Sequence, residues 1–253
     1  MDNPHFRQVK PGIETLPRSF SLPRHRHLRA YATVVLAGNF EESGYVGRIH
    51  AMAGDVLIHP ALDCHANRMI SAGVKLIRLD WPDGDGVGGL YHLDNVDELA
   101  RTAEKDVVEA THLLKLALRE KCLPSPRKKN DWPDLLLVEL ATSASMELGV
   151  WAELNGLARE TVSRGFATAY GIAPSVLRAE LRGRSAWLRI TRGSDPLCRI
   201  ALDTDFADQA HMTRWVRRIT GAPPTAWRRN ASTNHVDRST RSNPHVLGSR
   251  HCL

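Results

Sequence analysis

Two sets of side chains in this 253-residue chain have the types and spacing to do chemistry. Pro23-Arg24-His25-Arg26-His27 places two imidazoles at i and i+2, one face of a β-strand, and His65 follows downstream of Gly54-Asp55-Val56-Leu57-Ile58-His59-Pro60. Three neutral imidazoles can hold zinc, nickel, iron or copper with coordination positions left open. The alternative is that they line a pocket or contact an organic effector. Cys64 beside His65 offers a soft ligand or a redox-sensitive thiol, or simply a small apolar side chain. The second set is Glu160, Ser163 and Arg164 with Gln209, His211, Thr213 and Arg214. Arginine pairs with guanine and glutamine with adenine in the major groove, each good bidentate contact giving about 1–3 kcal/mol of discrimination.

What must position the second set is an internal repeat. Gly156-Leu157, Val162, Phe166, Gly171 and Pro174 recur as Asp205-Phe206, Met212, Val216, Gly221 and Pro224. From Val162 and Met212 onward the spacings agree residue for residue, and only the preceding stretch is one residue longer in the second copy. A turn, a short helix with apolar residues one turn apart, and a Gly-x-x-Pro stop describe a helix-turn-helix unit. Leu157, Val162 and Phe166, and Phe206, Met212 and Val216, anchor the second helix of each unit, leaving the polar residues named above outward. Aspartate at 205 tolerates the left-handed backbone that glycine favours at such turns. The helix expected from Pro174 to about Arg192 would span roughly 28 Å at 1.5 Å per residue, close to one turn of B-DNA at about 34 Å. Two unlike half-sites per subunit follow from the unlike outward residues.

Charge agrees with this. The net charge is +6, and residues 159–230 hold 13 arginines and no lysine against 6 acidic residues. That favours bidentate contacts to phosphates and base edges, although a GC-rich genome also favours arginine over lysine. The cysteines, Cys64, Cys122, Cys198 and Cys252, are scattered without a Cys-x-x-Cys pair, as in reduced thiols of a cytosolic protein. Met1–Arg18 has no apolar signal-peptide core, and no run approaches the ~18 residues needed to span a bilayer. A cytoplasmic protein without membrane contact is expected.

Around these sets the chain divides in two. Ala30–Ala37, Tyr45–Met52, Val56–His59 and Val74–Leu79 read as short strands, punctuated by Gly38-Asn39, Glu42-Ser43-Gly44, Gly54-Asp55 and Ser71-Ala72-Gly73, which argues for a small sandwich or barrel. Residues 82–89 are a glycine-rich loop. Val96, Leu99, Ala103, Val107, Ala110, Leu114 and Ala117 form one face of a single long helix to Arg119. It packs on its own barrel or pairs with a second subunit. The periodicity from Asp131 onward is helical, one helix opening at Trp132-Pro133-Asp134 and closing at Gly149, and Asp195-Pro196 beginning another. The expected divisions are a sensor domain at 1–121, a linker at 122–131, a helical domain at 132–230 and a disordered tail at 231–253, whose His235, His245 and His251 are taken as uninvolved.

Residues from about Trp132 to Arg229 resemble the AraC/XylS-type transcriptional regulators, most specifically through Ile200–Arg214, Gly221-Ala222-Pro223-Pro224 and Trp227-Arg228-Arg229. The resemblance implies an all-α DNA-binding domain of seven helices with two helix-turn-helix units, and double-stranded DNA as partner. Asp205 departs from the family's usual glycine. The N-terminal half is similar to the two motifs of the cupin barrel, the usual sensor domain of these regulators. In metal-binding cupins, residues matching His25, His27 and His65 hold a divalent metal together with a glutamate. Here Leu28-Arg29-Ala30-Tyr31-Ala32 has no acid where the glutamate belongs, and Leu62 replaces a glycine. The resemblance also implies a small-molecule or metal effector, a homodimer through the helix after the barrel, and RNA polymerase as a partner if the protein activates. Such a protein is not an enzyme. The competing readings are a metal-dependent cupin enzyme fused to a helical domain, and a DNA-binding protein whose barrel is a dimer scaffold only.

Overall fold

The computed structural model describes residues 6–18, 20–82, 88–120, 131–142 and 146–229. The chain forms two compact units, Met1–Leu181 and Arg182–Leu253. The segment expected as a linker and the expected tail lie, apart from Asp131, outside the described residues.

Among the described residues, the first unit opens with nine strands: β1 (Gly12–Pro17), β2 (Ser21–Arg26), β3 (Tyr31–Ala37), β4 (Asn39–Gly44), β5 (Gly47–Met52), β6 (Asp55–His59), β7 (Cys64–Met69), β8 (Gly73–Asp80) and β9 (Gly89–His92). They make two antiparallel sheets, ordered β1-β8-β3-β6-β9 and β2-β7-β4-β5. Successive side chains point to opposite faces, so Val35, Leu57 and Leu76 enter one core with Phe40 and Ile49, while Val34, Val56 and Ile77 enter another. Strands covered on both faces show continuous apolar runs, which makes β3 and β6 legible, and β5 and β8 are read as strands as well. Asn39 and Glu42-Ser43-Gly44, expected as turn residues, instead belong to β4, whose Phe40, Glu42 and Gly44 are buried in alternation.

The single helix expected from Val96 to Arg119 is two, α1 (Asp97–Ala103) and α2 (Val107–Glu120). Asp106 causes the break. Its Oδ1 accepts from the backbone N–H groups of Val108 and Glu109 at 2.8 and 3.1 Å, an N-cap that starts a new helix. The apolar stripe packs on its own sheet, with Leu99, Ala103, Ala110 and Leu114 buried against β3, β6 and β8.

Four helices complete the first unit or begin there: α3 (Trp132–Thr142), α4 (Leu148–Leu154), α5 (Arg159–Tyr170) and α6 (Pro174–Arg192). Helix α3 ends at Thr142, and Gly149 lies inside α4 rather than closing the preceding helix. Leu136, Leu140, Trp151, Val162, Phe166, Tyr170 and Leu177 form their core. In the second unit, α7 (Leu197–Asp203), α8 (Gln209–Thr220) and helical residues 224–229 surround Ile190, Ile200, Phe206, Met212 and Val216.

The two turns of the repeat are superimposable in their bonding. Gly156 and Asp205 both have positive φ, 65° and 56°. Leu157 N–H donates to Ala152 O at 2.9 Å, and Phe206 N–H to Ala201 O at 3.0 Å. Gly171 and Gly221 close α5 and α8 in the left-handed conformation. The extra residue of the second copy has a use: Asp208 caps α8, accepting from His211 N–H at 2.6 Å, whereas Ala158 makes no such bond for α5. A β-carbon in the left-handed region is strained, and aspartate relieves only part of the cost. Asp205→Gly is therefore expected to stabilise the second unit by about 0.5–1 kcal/mol, seen as a higher denaturation midpoint. A lowered midpoint would show that the aspartate side chain stabilises this turn.

Candidate functional sites: a histidine centre and a DNA-reading surface

His25 and His65 face each other across β2 and β7 in register, and His27 follows directly after β2. All three are buried. Each Nδ1 has an oxygen partner: Pro23 O at 2.9 Å for His25, Arg7 O at 2.9 Å for His27, and Asp63 Oδ2 at 3.0 Å for His65. A carbonyl can only accept, so Nδ1 of His25 and His27 carries the hydrogen and Nε2 presents its lone pair. Nε2 of His27 is buried and has no hydrogen-bond partner among the described residues. One donor nitrogen from each ring lies within 4.8 Å of the others. Oxygen acceptors that fix tautomer and ring orientation are the usual outer shell of metal-binding imidazoles.

The surroundings set the charges. Burial, then His65, lowers the pKa of His25 to about 4, and burial, then His65 and His25, lowers that of His27 to about 2. For His65, burial acts to lower the pKa, but Glu42 and Asp63 together outweigh it and the pKa is raised. Asp63 is held well below the carboxylate range because hydrogen bonds from His59 and His65 overcome its burial. Its Oδ2 also accepts from His59 Nδ1 at 3.0 Å. Tyr31, four residues after His27, places its hydroxyl 3.2 Å from His65 Nε2, and Glu42 Oε2 is 4.0 Å from the same atom. Burial, then Glu42 and Asp63, raises the Tyr31 pKa, so the phenol is neutral.

An acid is thus present, but from β4 rather than from the stretch after His27. Glu42, Asp63, His59 and Tyr31 were not foreseen. Glu42 was hidden in an apparent turn, and the alternation Phe40–Glu42–Gly44 was the available signal. Burial pushes the Cys64 thiol up to about 11, and the charges acting on it are Arg26, Arg24, Glu180 and Asp63. It belongs to neither group of metal-capable side chains found among the described residues. The cavity bounded by His25, His27, Tyr31, Glu42 and His65 has a volume of about 40 Å³. That holds an ion with a water or two, since one water needs roughly 10–15 Å³ by this measure.

On the other side of β2, Arg24 and Arg26 meet α6. Glu180, itself buried, accepts from Arg24 Nη2 at 2.9 Å, pairs with Arg26 Nη2 at 3.0 Å and accepts from the Tyr45 hydroxyl at 2.9 Å. Arg26 Nη1 donates to Tyr45 Oη at 2.8 Å and to Leu62 O at 2.9 Å. A second cluster joins β5 to α3 and α5: Arg48 donates to both Asp134 oxygens and pairs with Asp131, and Tyr170 donates to Asp134. These residues were not singled out in the sequence, because the carboxylates that Arg24 and Arg48 meet lie 83–156 positions away.

Most of the side chains expected to meet DNA lie at the surface. Glu160, Ser163 and Arg164 on α5 are exposed, as are Gln209 and Arg214 on α8, with Thr213 half-exposed. Val162, Phe166, Met212 and Val216 are fully buried beneath them. His211 differs. It is half-buried, its Nε2 accepts from the Trp215 indole N–H at 3.1 Å, and its ring meets Phe206 edge-on at 5.2 Å. These contacts hold the ring along α8. Arg189 and Arg199 are neutralised by Asp203, which leaves Arg164 and Arg214 as the exposed guanidiniums at matched positions of the two copies.

Two tandem helix-turn-helix units with exposed arginines define a DNA-binding protein of the helix-turn-helix class. Residues 151–230 match the family model described as a helix-turn-helix domain. The chain carries an AraC-type helix-turn-helix domain, as its resemblance to those regulators implied. Among solved structures it is similar to ToxT from Vibrio cholerae in a form bound to an unsaturated fatty acid (8% identity, 85% of this chain and 93% of that one, TM-score 0.34). It is similar also to the DNA-binding domain of the global transcriptional factor AdpA in complex with a target DNA (18%, 42% and 98%, TM-score 0.39). A third is the C-terminal domain of the two-component response regulator yesN from Fusobacterium nucleatum (20%, 37% and 94%, TM-score 0.35). A search of curated proteins returned no match. No helix among the described residues is long and apolar enough to cross a membrane.

Proposed function

We propose that the protein is a sequence-specific transcriptional regulator whose N-terminal β domain senses a divalent metal at His25, His27 and His65. The observation that carries the metal reading is the convergence of three imidazoles on a cavity of about 40 Å³, where His27 Nε2 has no hydrogen-bond partner among the described residues. The donor set fits a borderline first-row ion such as zinc, nickel or iron. Glu42 or a water would complete the coordination, and Asp63 would orient His65. A cavity of about 40 Å³ is too small for an organic effector. Its alternative place is the open cleft of about 790 Å³ that Arg24, Arg48, Trp132 and Thr168 help to line. Dimerisation belongs to the same proposal. The exposed α2 residues Val108 and Leu116 are its candidate contacts, since Leu99 and Ala110 are consumed by the protein's own core.

Selection of bound duplexes from random DNA, with zinc and with a chelator, tests the reading. One enriched site of two unlike halves, bound with different affinity under the two conditions, is expected. Equal recovery of all sequences contradicts DNA reading, and equal affinity under both conditions contradicts metal control.

Proton linkage gives a second check. Below its raised pKa, His65 holds a proton that the ion must displace, whereas His25 and His27 are neutral down to about pH 4. Zinc affinity should therefore fall about tenfold per pH unit on the acid side of the His65 pKa, with about one proton released per ion. Calorimetry in buffers of different ionisation enthalpy reads that proton. Zinc binding with no proton release in this range would contradict the assignment of His65 as a ligand.

A further inference from the structure

The second reading helix has a flank that the first does not. On α8, His211, Trp215 and Arg218 follow one another at spacings of four and three, so they lie along one side of the helix. An indole N–H can only donate, and that of Trp215 donates to His211 Nε2 at 3.1 Å. The imidazole is itself held edge-on against Phe206. The indole is thus fixed along the helix, and the Arg218 guanidinium lies over its face, 4.8 Å from the ring centroid. Gly183 lets α6 pass close beneath: a β-carbon there would stand 3.1 Å from Ile219 Cδ1 and 3.6 Å from Trp215 Cβ. Arg218 is exposed, and no carboxylate pairs with it among the described residues, in contrast to Arg189 and Arg199.

The matched residues of α5 are Thr161, Gly165 and Thr168, none of them charged. Trp132 of α3 fills the space that a side chain at 165 would need, since a β-carbon there would stand 2.5 Å from its Cζ2. The first copy therefore has neither the charge nor the aromatic support that α8 carries on this side.

Arg218 lies one turn beyond Arg214. A recognition helix meets base edges mainly with its first residues, and its later turns pass the sugar-phosphate backbone. A guanidinium offers a phosphate two parallel N–H groups, and stacking on a ring keeps that fork oriented.

We propose that Trp215, locked by His211, holds Arg218 as a phosphate clamp on α8, so that the second copy grips the DNA backbone beside its base contacts and the first copy has no counterpart of that grip. The proposal rests on α8 meeting duplex DNA. Arg218 is then a positioning residue: it adds affinity and fixes register without reading sequence.

The test is a salt titration of the full chain on the selected duplex and on one with both halves scrambled. Arg218→Ala should weaken both by the same factor and lower the slope of log affinity against log salt by about 1. Its deficit should therefore narrow about three- to fourfold between about 50 and 200 mM salt. The side chain is exposed, so this variant leaves the core intact. Trp215→Phe, which keeps an aromatic face under Arg218 and loses the N–H, should retain the parent slope and lose affinity for both duplexes by a few-fold. Trp215→Phe binding as tightly as the parent overturns the part given to His211. An unchanged slope in Arg218→Ala, or a loss confined to the selected duplex, overturns the clamp and leaves DNA reading standing. A parent that binds both duplexes equally overturns the reading on which the clamp rests.

Discussion

His27→Ala should lower zinc affinity at the histidine centre by more than about 100-fold, because it removes one of three protein nitrogens. Loss of an outer-shell partner alone typically costs 10–100-fold, so Asp63→Asn, which leaves all three imidazoles in place but weakens the oxygen that orients His65, should fall in that smaller range. The ordering separates ligands from bystanders. If His27→Ala and Asp63→Asn weaken zinc equally, the effect is disruption of the buried network, not loss of a ligand. If neither changes zinc affinity, the metal lies elsewhere and the centre is a structural hydrogen-bond network. His27 suits the test because its Nε2 has no partner among the described residues, so the substitution removes a donor to the ion without breaking a described bond at that atom.

Arg164→Ala and Arg214→Ala should each weaken binding to the selected site by about 1–3 kcal/mol, roughly five- to 150-fold, and relax base preference in one half of the site only. The halves should differ. Helix α5 offers Glu160 and Ser163 beside its arginine, whereas α8 offers Gln209 and Thr213. Lysine at either position should restore salt-dependent affinity but not base preference, since a point charge cannot reproduce the bidentate fork. Measuring each variant against duplexes altered in one half at a time reads this directly. Uniform weakening across all sequences would reassign the arginines to phosphate contacts. His211→Ala is expected to act differently, lowering stability through the lost Trp215 bond and Phe206 contact.

Much of the DNA-reading half was legible because its signals are local. Gly156, Gly171 and Gly221 mark left-handed turns, Val162–Phe166 and Met212–Val216 mark buried faces one helical turn apart, and each pair lies within a dozen residues of the side chains it positions. The β strands buried on both faces were legible for the same reason. The failures were equally physical. Asp106 divides one periodic stripe into two helices through two hydrogen bonds that leave the apolar spacing unchanged. The Glu42-Ser43-Gly44 segment has the composition of a turn and forms a strand because β5 and β7 flank it.

By itself, the sequence determined the helix-turn-helix repeat, its outward arginines and the three histidines able to share an ion, all set by short-range spacing. Tertiary structure alone decided what surrounds them. Glu42 and Asp63 reach the centre from β4 and from the loop before β7, Arg24 and Arg26 find Glu180 some 150 positions along the chain, and the α1–α2 stripe turns onto its own sheet. Contacts between distant segments depend on how sheets and helices pack, and no local spacing encodes that partner choice.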